Sequence, residues 1–125
     1  MNKPIVYSID FDGTLAVTDY PTIIKPITMV IDFCKQLKQN GDLLILNTCR
    51  TGEHLESAVK WCADQGLTFD AVNENLLSRI IEFGGDCRKI SADYYIDDRN
   101  IHPERLYYTD QIDEINICWW RAIKK

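Results

Sequence analysis

Short apolar runs alternate along this chain with stretches of helical periodicity, and that alternation most restricts what it can fold into. Ile5 to Ile9 is a compact apolar run, followed at once by the turn formers Asp10, Asp12 and Gly13. It predicts a buried strand, since a parallel strand covered on both faces needs no polar alternation. From Ile27 the positions Ile27, Val30, Ile31, Cys34 and Leu37 lie close to one helical face, and Asn40-Gly41 supplies the stop. Leu43 to Leu46 reads as a second buried strand ending at Asn47-Thr48. A second helix starts near Thr51, with Leu55, Ala58, Val59 and Cys62 on its apolar face and Gly66 at its end. A weak strand is expected over Thr68 to Val72. A third helix follows around Leu76, Leu77, Ile80 and Ile81, closed by Gly84-Gly85.

Tyr94 to Ile96 reads as a short buried strand ending in Asp97-Asp98, and Leu106 to Tyr108 as another. A final helix would put Ile112, Ile115, Trp119 and Ile123 on one face. The adjacent Trp119 and Trp120 cannot share a face. One of them is therefore left outward, which points to a homo-oligomer contact. The expected fold is an α/β, three-layer, Rossmann-like domain: a mainly parallel sheet with helices on both faces. The 125 residues make one domain, 1–125. In open sheets of this kind, ligands bind beyond the carboxyl ends of the strands. Those ends carry Asp10 and Asp12, Asn47 and Thr48, and Asp97 and Asp98.

With 46% hydrophobic and 26% charged residues, the chain has the makings of a core and not of a disordered tail. Fourteen basic residues against nineteen acidic ones give −5. This balance argues against a nucleic-acid partner or an anionic membrane, both of which call for a basic surface. The surplus of carboxylates suits a divalent cation. Five cysteines, with no Cys-x-x-Cys pair, indicate neither a zinc knuckle nor a disulfide frame. Reduced thiols in a cytoplasmic protein are the expectation. The run Ile5 to Ile9 is too short for a signal peptide, and no stretch approaches a membrane span.

Four carboxylates converging on one crevice repel one another unless a cation lies among them. Oxygen donors favour Mg²⁺ or Ca²⁺ over zinc, and Mg²⁺ prefers a few carboxylates with waters and a phosphate oxygen. Thr48 and Lys89 would complete an anion cradle. A carboxylate facing a phosphoryl group held there can attack phosphorus and form an acyl phosphate. The residues alone leave open which of Asp10 and Asp12 attacks.

The stretch Asp10-Phe-Asp-Gly-Thr-Leu15 resembles the first motif of the haloacid dehalogenase superfamily, most of whose members are Mg²⁺-dependent phosphatases working through an aspartyl-phosphate. The other three motifs have counterparts in order. Thr48 stands in Leu-Asn-Thr-Cys-Arg, Lys89 follows, and Asp97-Asp98 stand in Tyr-Ile-Asp-Asp-Arg. The resemblance implies Asp10 as nucleophile and metal ligand. It makes Asp12 the general acid and then base, with its backbone carbonyl on the metal. Thr48 and Lys89 would bind the phosphoryl oxygens. Asp97 would ligate Mg²⁺, with Asp98 in support. The intervals between Thr14 and Thr48, and between Thr48 and Lys89, are taken up by core elements, which implies a capless member. Ala16 to Lys25 is the local candidate for a small flap. The substrate would be a phosphorylated small molecule or an accessible phosphate on a larger one.

Two other functions compete. A phosphoacceptor receiver module shares the acidic pair, hydroxyl, lysine and Mg²⁺. It needs an acceptor aspartate at a middle strand's end, however, where this chain has Asn47-Thr48. A catalytically inactive relative would bind phosphate without turnover. Arg50 and Arg99 flank the site as anion binders or surface salt-bridge partners, and neither is placed in the catalytic set.

Overall fold

A computed structural model describes residues 3–106. The strands are β1 (Val6–Ile9), β2 (Ala16–Asp19), β3 (Thr22–Pro26), β4 (Leu43–Leu46), β5 (Ala71–Val72) and β6 (Tyr94–Ile96). The helices are α1 (Thr28–Gln39), α2 (Gly52–Asp64) and α3 (Leu77–Phe83), and a 3₁₀ turn spans Pro103–Leu106. The predicted final helix and all but the first residue of the predicted Leu106 to Tyr108 strand lie outside the described residues. Leu106 itself closes the 3₁₀ turn.

Four strands form a parallel sheet in the order β5-β4-β1-β6. This is the α/β, Rossmann-like architecture expected, with helices flanking a mostly parallel sheet. Side chains alternate across it with the two-residue period of a strand. Ile9, Leu44 and Leu46 face α1 and α2, and join Ile31, Cys34, Leu37, Ala58, Cys62, Phe11 and Leu15 in the main core. Val6 and Ile45 face the other way and pack with Ile90, Leu43, Leu76 and Ala92. The second layer is thin, because α3 buries none of its residues. Most hydrophobic stabilisation therefore sits under α1 and α2. Leu44→Ala, which empties a fully buried site in that layer, should cost about 2–5 kcal/mol. Denaturant melts of wild type and variant measure it directly.

The candidate flap, Ala16 to Lys25, is an antiparallel hairpin, β2 paired with β3 across Tyr20-Pro21. Its β-branched residues Val17, Thr18, Thr22, Ile23 and Ile24 suit a pleated, half-buried ribbon. β6, expected to be buried, is exposed at Tyr94 and Tyr95. It pairs with β1 on one side only among the described residues, so it does not have the double cover of β1 and β4. No inserted domain interrupts the described residues, and none of their helices is long and apolar enough to cross a membrane.

Candidate functional site

Strand order sets the site. β1 lies between β4 and β6, and the register puts Ile9 beside both Leu46 and Ile96. One residue further on, Asp10, Asn47 and Asp97 must emerge side by side at the carboxyl edge. The backbone amide of Asp10 donates to Ile96 O and that of Asn47 to Ile9 O, each at 2.9 Å, which keeps the register up to the rim. The chain runs outward from β1 through β4 to β5 on one side, and β6 lies on the other. The β1–β6 boundary is thus the switch point at which such sheets open a crevice.

Carboxylate oxygens of Asp10, Asp97 and Asp98 lie within 4.8 Å of one another there. Asp10 is half-buried, the other two exposed. Burial, and then the neighbouring charges of Asp97 and Asp98, push the Asp10 carboxyl up to about 6 from its ordinary 3.8. Hydrogen bonds from the Thr14 hydroxyl and the Phe11 backbone oppose that rise. A set of three hard oxygen donors that destabilise one another's charge fits a hard divalent cation. Thr14 ties the parts together, its hydroxyl donating to Asp10 Oδ2 and accepting from the Asp98 amide, both at 3.1 Å.

Gly13 is required by the same packing. Its φ is +81°, and a Cβ there would run into the Asp98 carboxylate. Gly13→Ala should therefore cost about 1–3 kcal/mol from backbone strain and crowding. It should also weaken any cation response by displacing Asp98. Thermal melts of the variant with and without Mg²⁺ measure both effects.

Four converging carboxylates were expected, and the cluster contains three. The Asp12 carboxylate is taken by Arg50, whose Nη2 and Nε donate to Asp12 Oδ1 and Oδ2 at 2.7 and 2.9 Å. The Thr18 hydroxyl adds a third bond at 2.8 Å. The Arg50 hydrogen bonds hold the Asp12 carboxyl below the usual carboxylate range, and Thr18 adds to the effect. Arg50 is only 1% exposed, far from a surface salt bridge. Its guanidinium lies over the rings of Phe11 and Tyr20, 4.9 and 5.1 Å from their centroids. Sequence reasoning left Arg50 outside the catalytic set; a charged residue two positions after Thr48 was the available signal.

Thr48 enters the same cleft, of about 580 Å³, with Asp10, Asp12, Arg50, Asp97 and Asp98. Its amide donates to Asn73 Oδ1 at 2.8 Å, and its hydroxyl accepts from the Arg50 amide at 3.2 Å. That hydroxyl keeps its own proton for a ligand. Asn73, left-handed at φ 54°, also donates from Nδ2 to Arg50 O, so one side chain braces the whole turn after β4. Nothing in the sequence marked this role.

Lys89 forms no ion pair with the carboxylates, nor any other among the described residues. Its ammonium lies over the Tyr95 ring, 5.2 Å from the centroid. Lys89 lines a neighbouring cavity of about 1160 Å³ that also reaches Asp10 and Asp97. Buried Asn75 fixes its loop, bonding Cys87 O, Lys89 O and the Ser91 amide.

No family model matches the chain, and no curated protein does. A solved structure does: the conserved protein coded by a locus of Bacteroides thetaiotaomicron is 36% identical, with a TM-score of 0.69. The match covers 90% of this chain and 92% of that one.

Proposed function

We propose that this chain, which belongs to one family with that conserved protein of Bacteroides thetaiotaomicron, is a Mg²⁺-dependent phosphatase acting through an aspartyl-phosphate on Asp10. The observation that carries the reading is the meeting of Asp10, Asp97 and Asp98 beside the Thr48 hydroxyl at the sheet's switch point. The motif order of the haloacid dehalogenase superfamily supports the same assignment. Asp10, Asp97 and Asp98 would hold the Mg²⁺, with the Asp12 backbone carbonyl. Bound there, the cation would neutralise phosphoryl charge and orient the group.

The chain's own residues do the rest. An Asp10 carboxylate oxygen forms a bond to phosphorus as the ester oxygen leaves, and Thr14 steadies that carboxylate. Thr48 donates to a phosphoryl oxygen. Lys89, in the neighbouring cavity that also reaches Asp10 and Asp97, would add positive charge to the bound phosphoryl group. Water then attacks phosphorus, and inorganic phosphate departs while Asp10 regains its carboxylate. Asp12, facing the cleft, moves the protons of leaving group and water. The hairpin β2–β3 lines the cleft through Val17 to Tyr20, opposite no inserted domain among the described residues. The substrate on this reading is a phosphate monoester.

A panel of phosphate monoesters, including p-nitrophenyl phosphate, tests this with and without Mg²⁺. Phosphate release that requires Mg²⁺ is the expected result. Phosphoenzyme from acetyl phosphate without turnover would instead identify a receiver-like module.

A further inference from the structure

We propose that Arg50 is a positioning residue of the reaction, aiming the Asp12 carboxylate and keeping it apart from the cation cluster. This rests on the phosphatase reading above and adds to it a residue outside the family motifs. The argument begins from burial. A guanidinium with 1% of its surface exposed requires compensation, and Arg50 receives it mainly from one carboxylate, gripped by two of its nitrogens. The planar fork fixes the carboxylate's rotation as a point charge cannot.

Arg50 is itself immobilised. Nη1 donates to His54 O at 3.4 Å, and Asn73 holds its carbonyl. The Phe11 and Tyr20 rings both pack against its guanidinium. Phe11 comes from the turn after β1, Tyr20 from the hairpin tip, and His54 from α2. The aim of Asp12 is thus set by five separate segments, the turn after β4 and Asn73 beyond β5 included.

The grip has a second consequence. Asp12 lies two residues from Asp10 and lines the same cleft, yet its carboxylate is absent from the group formed by Asp10, Asp97 and Asp98. Nη2 and Thr18 both donate to Oδ1, while Oδ2 accepts only from Nε, which leaves one lone pair of Oδ2 open to a proton. Asp12 transfers protons through that oxygen while three other carboxylates take the cation.

Arg50→Lys and Thr18→Val test the assignment, the second being a small change that leaves the buried charge in place. The readouts are steady-state hydrolysis of an alkyl phosphate, the burst of p-nitrophenol from p-nitrophenyl phosphate, and the Mg²⁺-induced shift in Tm. An alkoxide leaves only when protonated, whereas p-nitrophenolate leaves unaided. Arg50→Lys should slow alkyl-ester turnover about a hundredfold, as loss of positioned acid–base catalysis does. The burst rate should change by less than about threefold, a bound well inside that loss, and the Mg²⁺ shift should persist. Thr18→Val should show the same split, more weakly. Equal losses on both esters, or no loss in either variant, would overturn the role of Arg50 and leave the phosphatase reading intact. No phosphate release from either ester by wild type would overturn both.

Discussion

Asp10→Asn is expected to lower phosphate release on the order of 10⁴-fold or more, as removal of an attacking group does elsewhere. The amide is nearly isosteric, so the fold and the Thr14 hydrogen bond to this position are kept. Its oxygen, however, cannot form a stable acyl phosphate. The variant should also be more stable than wild type without metal above pH 6, because it removes one of three mutually repelling carboxylates. A loss of activity together with a gain in metal-free stability separates a functional carboxylate from a structural one. Asp12→Asn should differ: turnover falls, but p-nitrophenol is still released in a burst. Stopped-flow and equilibrium melts on the three proteins decide the point.

The second large effect concerns Mg²⁺ and pH together. A cation that binds only the folded chain should add about 2.7 kcal/mol at a hundred times its dissociation constant. For a domain of this size, that corresponds to a rise in Tm of roughly 10 °C. The pH dependence follows from Asp10, whose carboxyl titrates at about 6 when folded against an ordinary 3.8. A raised carboxyl contributes stability that is fully present below the unfolded value and lost as pH rises through the folded one. Metal-free protein should therefore lose stability between pH 4 and pH 6.5. Mg²⁺ needs the ionised form, so its stabilising effect should be complete above that range and fade as protons compete below about pH 6. Thermal melts across pH, with and without Mg²⁺, measure both arms. A Tm that ignores Mg²⁺ at pH 7.5 would count against a shared cation site.

Much of the fold was legible because strand and helix periods are local. Leu43 to Leu46, apolar on both faces, could be little else than a central strand, and β4 has those bounds. The convergence of Asp10 with Asp97 was also legible, since carboxyl ends of parallel strands share one rim. Features that depend on long-range contacts were not. Charged residues are usually exposed, and nothing in chain order shows that Arg50 meets a carboxylate 38 positions earlier. For the same reason Asp12 was counted with the converging acids, although its carboxylate turns to Arg50. The orientation of Lys89 depends on the Asn75-braced loop and the Tyr95 ring, which sequence spacing does not encode. The hairpin was missed as regular structure because its two strands are short and only Tyr20-Pro21 stood out between them.

The covalent intermediate is the most direct test. The chain should be mixed with p-nitrophenyl phosphate or acetyl phosphate in Mg²⁺, quenched in acid within milliseconds, digested and sequenced by mass spectrometry. A single phosphoryl group on Asp10, absent when Mg²⁺ is chelated and absent in Asp10→Asn, is the predicted result. A protein that releases phosphate while Asp10 is never modified, or one whose phosphoryl group resides on Asp12 or Asp97, would contradict the account.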